Sequence, residues 1–258
     1  MKFPSTLVKV SGYYYRIARV AASAATLCML AAAVLVIAPV AATASDMPVG
    51  GMTIHLPRYD RNQHTGNQLY RQGLRQFREG HPGRAAQLWR LLAADGNRNA
   101  QFALGELYAS GDAQAGIDQN LAVAAKWYRR AAEQGHIKAQ YNLGVFYASG
   151  TGVPHDMHEA ARWWRLAALQ GHLLAQFDLG LLYAQGAGVQ PNAAAAVRWW
   201  GMAAEHGYAP AEFNLGLMYI MGEGVKENRT EAVRLWQMSA KQGFGQAIHA
   251  LQTLQDGR

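Results

Sequence analysis

The segment HDMHE, His155 to Glu159, sets two imidazoles and two carboxylates within five residues, the ligand types that hold zinc and related cations. The same residues have a structural use. Asp156 suits the N-cap of a helix, and Glu159, three residues on, suits the reciprocal partner of a capping box. The structural use is preferred, because no related segment of the chain repeats the histidines. Other catalytic spacings are scarce. The chain contains no G-x-S-x-G elbow, no H-E-x-x-H and no phosphate-cradling G-x-x-x-x-G-K. Its one cysteine, Cys28, leaves no basis for thiol catalysis or a disulfide framework.

Aromatic and cationic residues form a second pattern. Trp163-Trp164 and Trp199-Trp200 are adjacent pairs, and all seven tryptophans fall on two neighbouring positions of a recurring segment. Adjacent side chains on a helix point about 100° apart, so one surface cannot take both. Packing in two directions explains the pair, and a sugar-stacking platform is the alternative. Packing is preferred because Ala160 and Ala167 mark a buried stripe in the same register. Lys126, Arg162, Arg198 and Arg234 precede the aromatic positions as a cationic row. We read it as a solvated face, helped by Glu159–Arg162 and Glu231–Arg234 pairs worth about 0.2–0.5 kcal/mol each. A track for an acidic partner or a polysaccharide is the alternative reading.

These residues are positioned by repeats. Residues 136–171, 172–207 and 208–243 align without gaps as blocks of 36, and residues 97–135 form a longer copy with the loop GDAQAGID. Each block reads as two helices. Ala139, Leu143 and Tyr147 form an apolar stripe of helical period in the first. Gly144 lies inside that helix at a cost of about 1 kcal/mol, which a neighbouring helix approaching closely would explain. Gly150-Thr151-Gly152 ends the first helix. Asn120, Asp156, Asn192 and Asn228 cap the second helices, and Gly135, Gly171, Gly207 and Gly243 end them. His136 and His172 follow such glycines and are assigned to packing of the turn.

The pattern A-x-x-x-L-G-x-x-Y-x-x-G-x-G-V, an aromatic pair, then A-A-x-x-G resembles the Sel-one-like repeat, a glycine-punctuated relative of the tetratricopeptide repeat. Residues 67–96, with Pro82 at a first helical position, resemble a plain tetratricopeptide unit acting as the N-terminal cap. Residues 244–258 would cover the far end. The resemblance implies an all-α fold, a right-handed α-solenoid of stacked antiparallel helix pairs. It also implies an exported bacterial adaptor or regulator of the cell envelope, with a protein partner, no cofactor and no catalysis. A polysaccharide- or peptidoglycan-binding scaffold is the alternative. Cysteine-rich relatives linked to β-lactam binding have no counterpart here, since the repeats hold no cysteine.

In related solenoids the first helices line the concave side. Positions two before, one after and five after the repeat glycine share a face offset from the core. They give Asn142, Val145 and Ser149, then Asp178, Leu181 and Gln185, then Asn214, Leu217 and Met221. The polar members and Met221 are the expected partner-binding residues.

The N-terminus supplies the address. Lys2, Lys9, Arg16 and Arg19 precede an uncharged run from Val20 to Ser45, and Ala42-Thr43-Ala44 suits a signal peptidase. Residues 1–44 are expected to be a cleaved signal, with an uncleaved inner-membrane anchor facing the periplasm as the alternative. Residues 45–66 read as a flexible leader. Removal of the signal takes four of 24 cations and none of 17 anions, leaving a formal charge of +3. That balance gives no reason to invoke nucleic acid. The mature chain is expected to be periplasmic or secreted.

Overall fold

A computed structural model describes residues 63–255 of the chain. The expected signal, most of the leader and residues 256–258 lie outside the described residues. Among the described residues there are eleven α-helices. In chain order they are α1 (Gln63–Arg78), α2 (Pro82–Ala94), α3 (Arg98–Ser110), α4 (Leu121–Glu133), α5 (Ile137–Ser149) and α6 (Met157–Leu169). They continue as α7 (Leu173–Gln185), α8 (Ala193–Glu205), α9 (Ala209–Met221), α10 (Arg229–Lys241) and α11 (Gly245–Gln255). Helix α1 starts at Gln63, so the last residues read as leader are helical. The chain divides into two compact units, with the boundary between Ala131 and Ala132 in the last turn of α4.

In the first unit α2 packs between α1 and α3. Pro82 opens α2, where its missing N–H costs nothing. The longer repeat loop forms a 3-10 turn at Ala113–Ala115, which Asp112 caps by accepting from the Ala115 N–H at 2.8 Å. Ile117 then drops into the core.

In the second unit α5 pairs with α6, α7 with α8 and α9 with α10, while α6–α7, α8–α9 and α10–α11 contacts join successive pairs. The repeat glycine explains how each pair closes. A Cβ on Gly144 would lie 2.4 Å from the Trp164 ring, on Gly180 2.3 Å from Trp200 and on Gly216 2.4 Å from Trp236. Each indole fills the notch left by the missing side chain. Its Nε1–H donates to a backbone carbonyl of the facing helix, Trp164 to Tyr141 and Trp200 to Phe177 at 3.1 Å, Trp236 to Phe213 at 3.0 Å. The close neighbour that the glycine implied is therefore the indole of the same repeat. The first position of the aromatic pair is less uniform: Trp163 and Leu235 are buried, whereas Trp199 is half-buried.

The loops carry the second contact between pairs. Gly188 has φ +68°, and a Cβ there would fall 2.3 Å from the Met157 carbonyl oxygen at the start of α6. Gly224 presses on the Ala193 carbonyl of α8 in the same way. Only glycine satisfies both the positive φ and the approach.

The expected N-caps are present. Asp156 accepts from the His158 and Glu159 N–H groups at 2.9 and 3.1 Å, and Asn192 and Asn228 accept from Ala195 and Glu231. The capping box is corrected to half a box. The Asp156 N–H donates to the Tyr147 carbonyl at 2.9 Å, which leaves Glu159 nothing to close. Glu159 turns instead to Arg162 and to the Trp163 Nε1–H at 3.0 Å. Asp156→Ala is expected to cost about 1 kcal/mol, measurable as a lower urea midpoint. No change in the midpoint would remove the cap from the account.

Candidate functional site

The expected partner-binding positions lie on α5, α7 and α9, and the structure separates them. Asn142 and Asn214 are half-buried, Ser149 and Gln185 are exposed, and Met221 keeps 50% of its surface. Ser149 spends its hydroxyl locally, on the Val145 carbonyl at 2.8 Å and on Thr151 at 2.7 Å. Leu181 and Leu217 pack against the apolar clusters between helix pairs and serve the frame.

Asp178 does not belong to this surface. It is 5% exposed, and the Tyr141 hydroxyl from α5 donates to its Oδ2 at 3.2 Å. Burial strips water from the carboxylate and pushes its pKa up to about 7, with the Tyr141 hydrogen bond opposing. Tyr141 also stacks on His172 with ring centroids 4.4 Å apart. His172 and His136 are N-caps: their Nδ1 atoms accept from the Ala175 and Ala139 N–H groups at 3.3 and 3.2 Å. That bond needs a neutral ring, and burial, with a smaller push from Lys138, lowers the His172 pKa to about 4.

The remaining candidates of the sequence stay apart or pair locally. Among the described residues no three histidines, aspartates, glutamates or cysteines gather into a group that could hold a metal. Of the cationic row, Arg162 pairs with Glu159 at 3.2 Å and Arg234 with Glu231 at 2.6 Å. Lys126 and Arg198 are exposed, with Val123 and Ala195 where a glutamate would stand.

One buried polar position escaped the sequence reading. Gln101, Gln140 and Gln176 each donate Nε2–H to the carbonyl eight residues earlier, at Ala93, Ala132 and Ala168, over 3.1–3.2 Å. Each carbonyl lies in the last turn of the preceding helix and also accepts the N–H of the helix-ending glycine, so the amide supplies its second hydrogen bond. The recurrence of Gln before the aromatic residue of the first helix was the available signal. The fourth copy is Glu212, wholly buried. Its Oε2 accepts from Gln242 at 3.0 Å, and its Oε1 has no hydrogen-bond partner among the described residues.

Burial raises the Glu212 pKa, against the pull of Arg234 and Gln242. A raised folded-state value means stability lost as pH rises through it. Glu212→Gln restores the amide donor opposite the Ala204 carbonyl. It is expected to add about 1–3 kcal/mol near pH 7.5, and less near pH 4. A urea titration that shows a loss near pH 7.5 would refute this.

No curated protein matches the chain. Among solved structures it is similar to a Sel1 repeat protein from Oxalobacter formigenes, at 38% identity and TM-score 0.64, over 69% of this chain and 72% of that one. It is also similar to c5321, a protective antigen of uropathogenic Escherichia coli strains with an SLR fold, at 33% identity and TM-score 0.69. That match covers 76% of this chain and only 42% of that one. The Sel1 repeat matches residues 98–136, 137–172, 173–208 and 209–244. Its all-α solenoid fold commonly mediates protein–protein interaction. Glycine notches filled by an aromatic ring, Tyr128 in the first repeat and an indole in the other three, recur within those limits with the capped second helices, and the chain belongs to the Sel1 repeat family.

Proposed function

We propose that the chain is an exported, non-catalytic adaptor or regulator of the bacterial envelope that binds another protein through the first-helix face of its repeats. One observation carries this reading. At the matched position five residues after the repeat glycine on α5, α7 and α9 the frame repeats, while the exposed side chain changes from Ser149 to Gln185 to Met221, beside the half-buried Asn142 and Asn214. A surface that varies on a constant frame selects a partner without altering the fold. The basic, apolar and A-x-A segments of residues 1–44 support export. Among the described residues no helix is long and apolar enough to cross a membrane.

The test places a photo-crosslinking residue at Asn142, Gln185 or Asn214 in living cells, with Arg198 on a second helix as the control. A single protein captured from the first-helix positions and not from Arg198 is the expected result. Capture of bulk envelope proteins from all four positions would refute the adaptor reading. Cell fractionation and N-terminal sequencing test export, with a mature start at Ser45 expected and an intact Met1 in the cytoplasmic fraction opposing it.

A further inference from the structure

A cleft of about 410 Å³ lies between α6 and the loop that follows α7. Helix α6 supplies His158, Arg162 and Arg165 on one face, a turn or so apart. Leu166 and Val189 give it an apolar floor. Gly188 closes one side, pressed against the Met157 carbonyl. No acidic residue lines the cleft.

The guanidinium groups are held in place from outside. Arg165 donates to the Tyr183 hydroxyl of α7 at 2.5 Å and lies over that ring at 6.0 Å. Arg162 is braced by Glu159 at 3.2 Å and lies 5.0 Å above the Trp163 ring. Braced side chains have less freedom to lose when an anion arrives. Leu166 remains 39% exposed, so the floor is accessible.

The fold does not require these charges. One repeat on, Gly224 presses on Ala193 of α8 as Gly188 presses on Met157 of α6. There the positions of His158 and Arg165 are Ala194 and Gly201, and only Arg198 keeps a charge. The same frame therefore exists with one cation, and the α6 cleft carries two basic side chains, His158 and Arg165, beyond those its repeat neighbour needs.

We propose that this cleft binds an acidic, apolar segment of a protein partner. Carboxylates seat on the Arg162 and Arg165 forks, which match their geometry, and a leucine-like side chain covers Leu166 and Val189. The apolar floor favours a peptide over free phosphate or a sulfated glycan, which would have nothing to bury on it. The proposal rests on the adaptor reading but uses the second-helix face, so its failure leaves the crosslinking test of the first-helix face standing.

The experiment titrates the full chain against a fluorescein-labelled peptide of alternating glutamate and leucine, read by anisotropy at low ionic strength. Saturable binding is expected, with Arg162→Ala and Arg165→Ala each weakening it about tenfold or more. Arg198→Ala should leave it unchanged. A lysine–leucine peptide should not bind, and inorganic phosphate or a heparin fragment should not displace the probe at equal concentration. Far-UV circular dichroism confirms that each variant is folded. The proposal is overturned by the absence of saturable binding, by unchanged affinity in both arginine variants, by equal binding of the lysine peptide, or by heparin binding in place of the peptide.

Discussion

Trp164→Ala is expected to lower the unfolding free energy by about 3–5 kcal/mol, the range for removing a large buried side chain. The ring is 1% exposed and fills the notch at Gly144, where the facing helix has no side chain to move into the gap. The α5 and α6 helices pack directly on each other, so local collapse recovers little. The change also removes the Nε1–H donor to the Tyr141 carbonyl. Trp163→Ala falls in the same range because that side chain is 4% exposed. Trp199→Ala, at the matching but half-buried position, is expected to cost less than Trp200→Ala. Urea unfolding followed by far-UV circular dichroism reads all four without relying on the fluorophore removed. A loss below about 1 kcal/mol for Trp164→Ala would place it among surface substitutions and refute the notch. Since repeats couple to their neighbours, hydrogen exchange should show the loss of protection in α5 and α6 first.

The same notch shows why the repeat was legible and the binding surface less so. Gly144 and Trp164 recur in register because each serves its own repeat, and self-similarity exposes that kind of constraint. Gln140 recurs too, but its partner is the Ala132 carbonyl of the preceding helix, a contact that no periodic hydrophobic pattern encodes. The imidazole caps of His136 and His172 were hidden similarly, since histidine is a rare choice for that role beside Asn, Asp and Ser. Glu159 looked like a capping-box partner on spacing alone. What spacing omitted was that the incoming chain hands the Asp156 N–H to Tyr147. Asp178 was misread for one reason: it matches Asn142 and Asn214 in register, and polarity was equated with exposure. A tyrosine on the first helix of the preceding repeat covers it. Register places a side chain on a face, and the neighbouring repeat decides whether that face is wet.

Asp178→Asn is accordingly expected to stabilise the protein, by an amount that grows as pH rises from about 4 to 7. The carboxyl has a pKa near 7 when folded against an ordinary 3.8, so between those values the folded state holds a proton that the unfolded chain has released. Stability contributed by this group is complete below about pH 3.8 and lost as pH rises through 7. His172 runs the other way: its value near 4 lies below the ordinary 6.5, so its contribution grows with pH across that window. In the native chain the two slopes oppose each other between about pH 4 and 6.5. Asparagine at 178 removes one slope, keeps an acceptor for the Tyr141 hydroxyl, and matches the residue that the neighbouring repeats already use. The difference in stability between variant and native chain isolates Asp178, because every other group cancels. It is expected to be small near pH 4, to rise by at most about 1.4 kcal/mol per pH unit, and to level off above pH 7 at up to about 4 kcal/mol. Urea titrations at intervals from pH 4 to 8.5 measure that curve directly. A difference that stays flat across the range would mean that Asp178 is solvated and ionised in the fold, returning it to the partner-binding face. A loss of stability above pH 7 would mean that the carboxylate itself, rather than the protonated acid, holds Tyr141 in place.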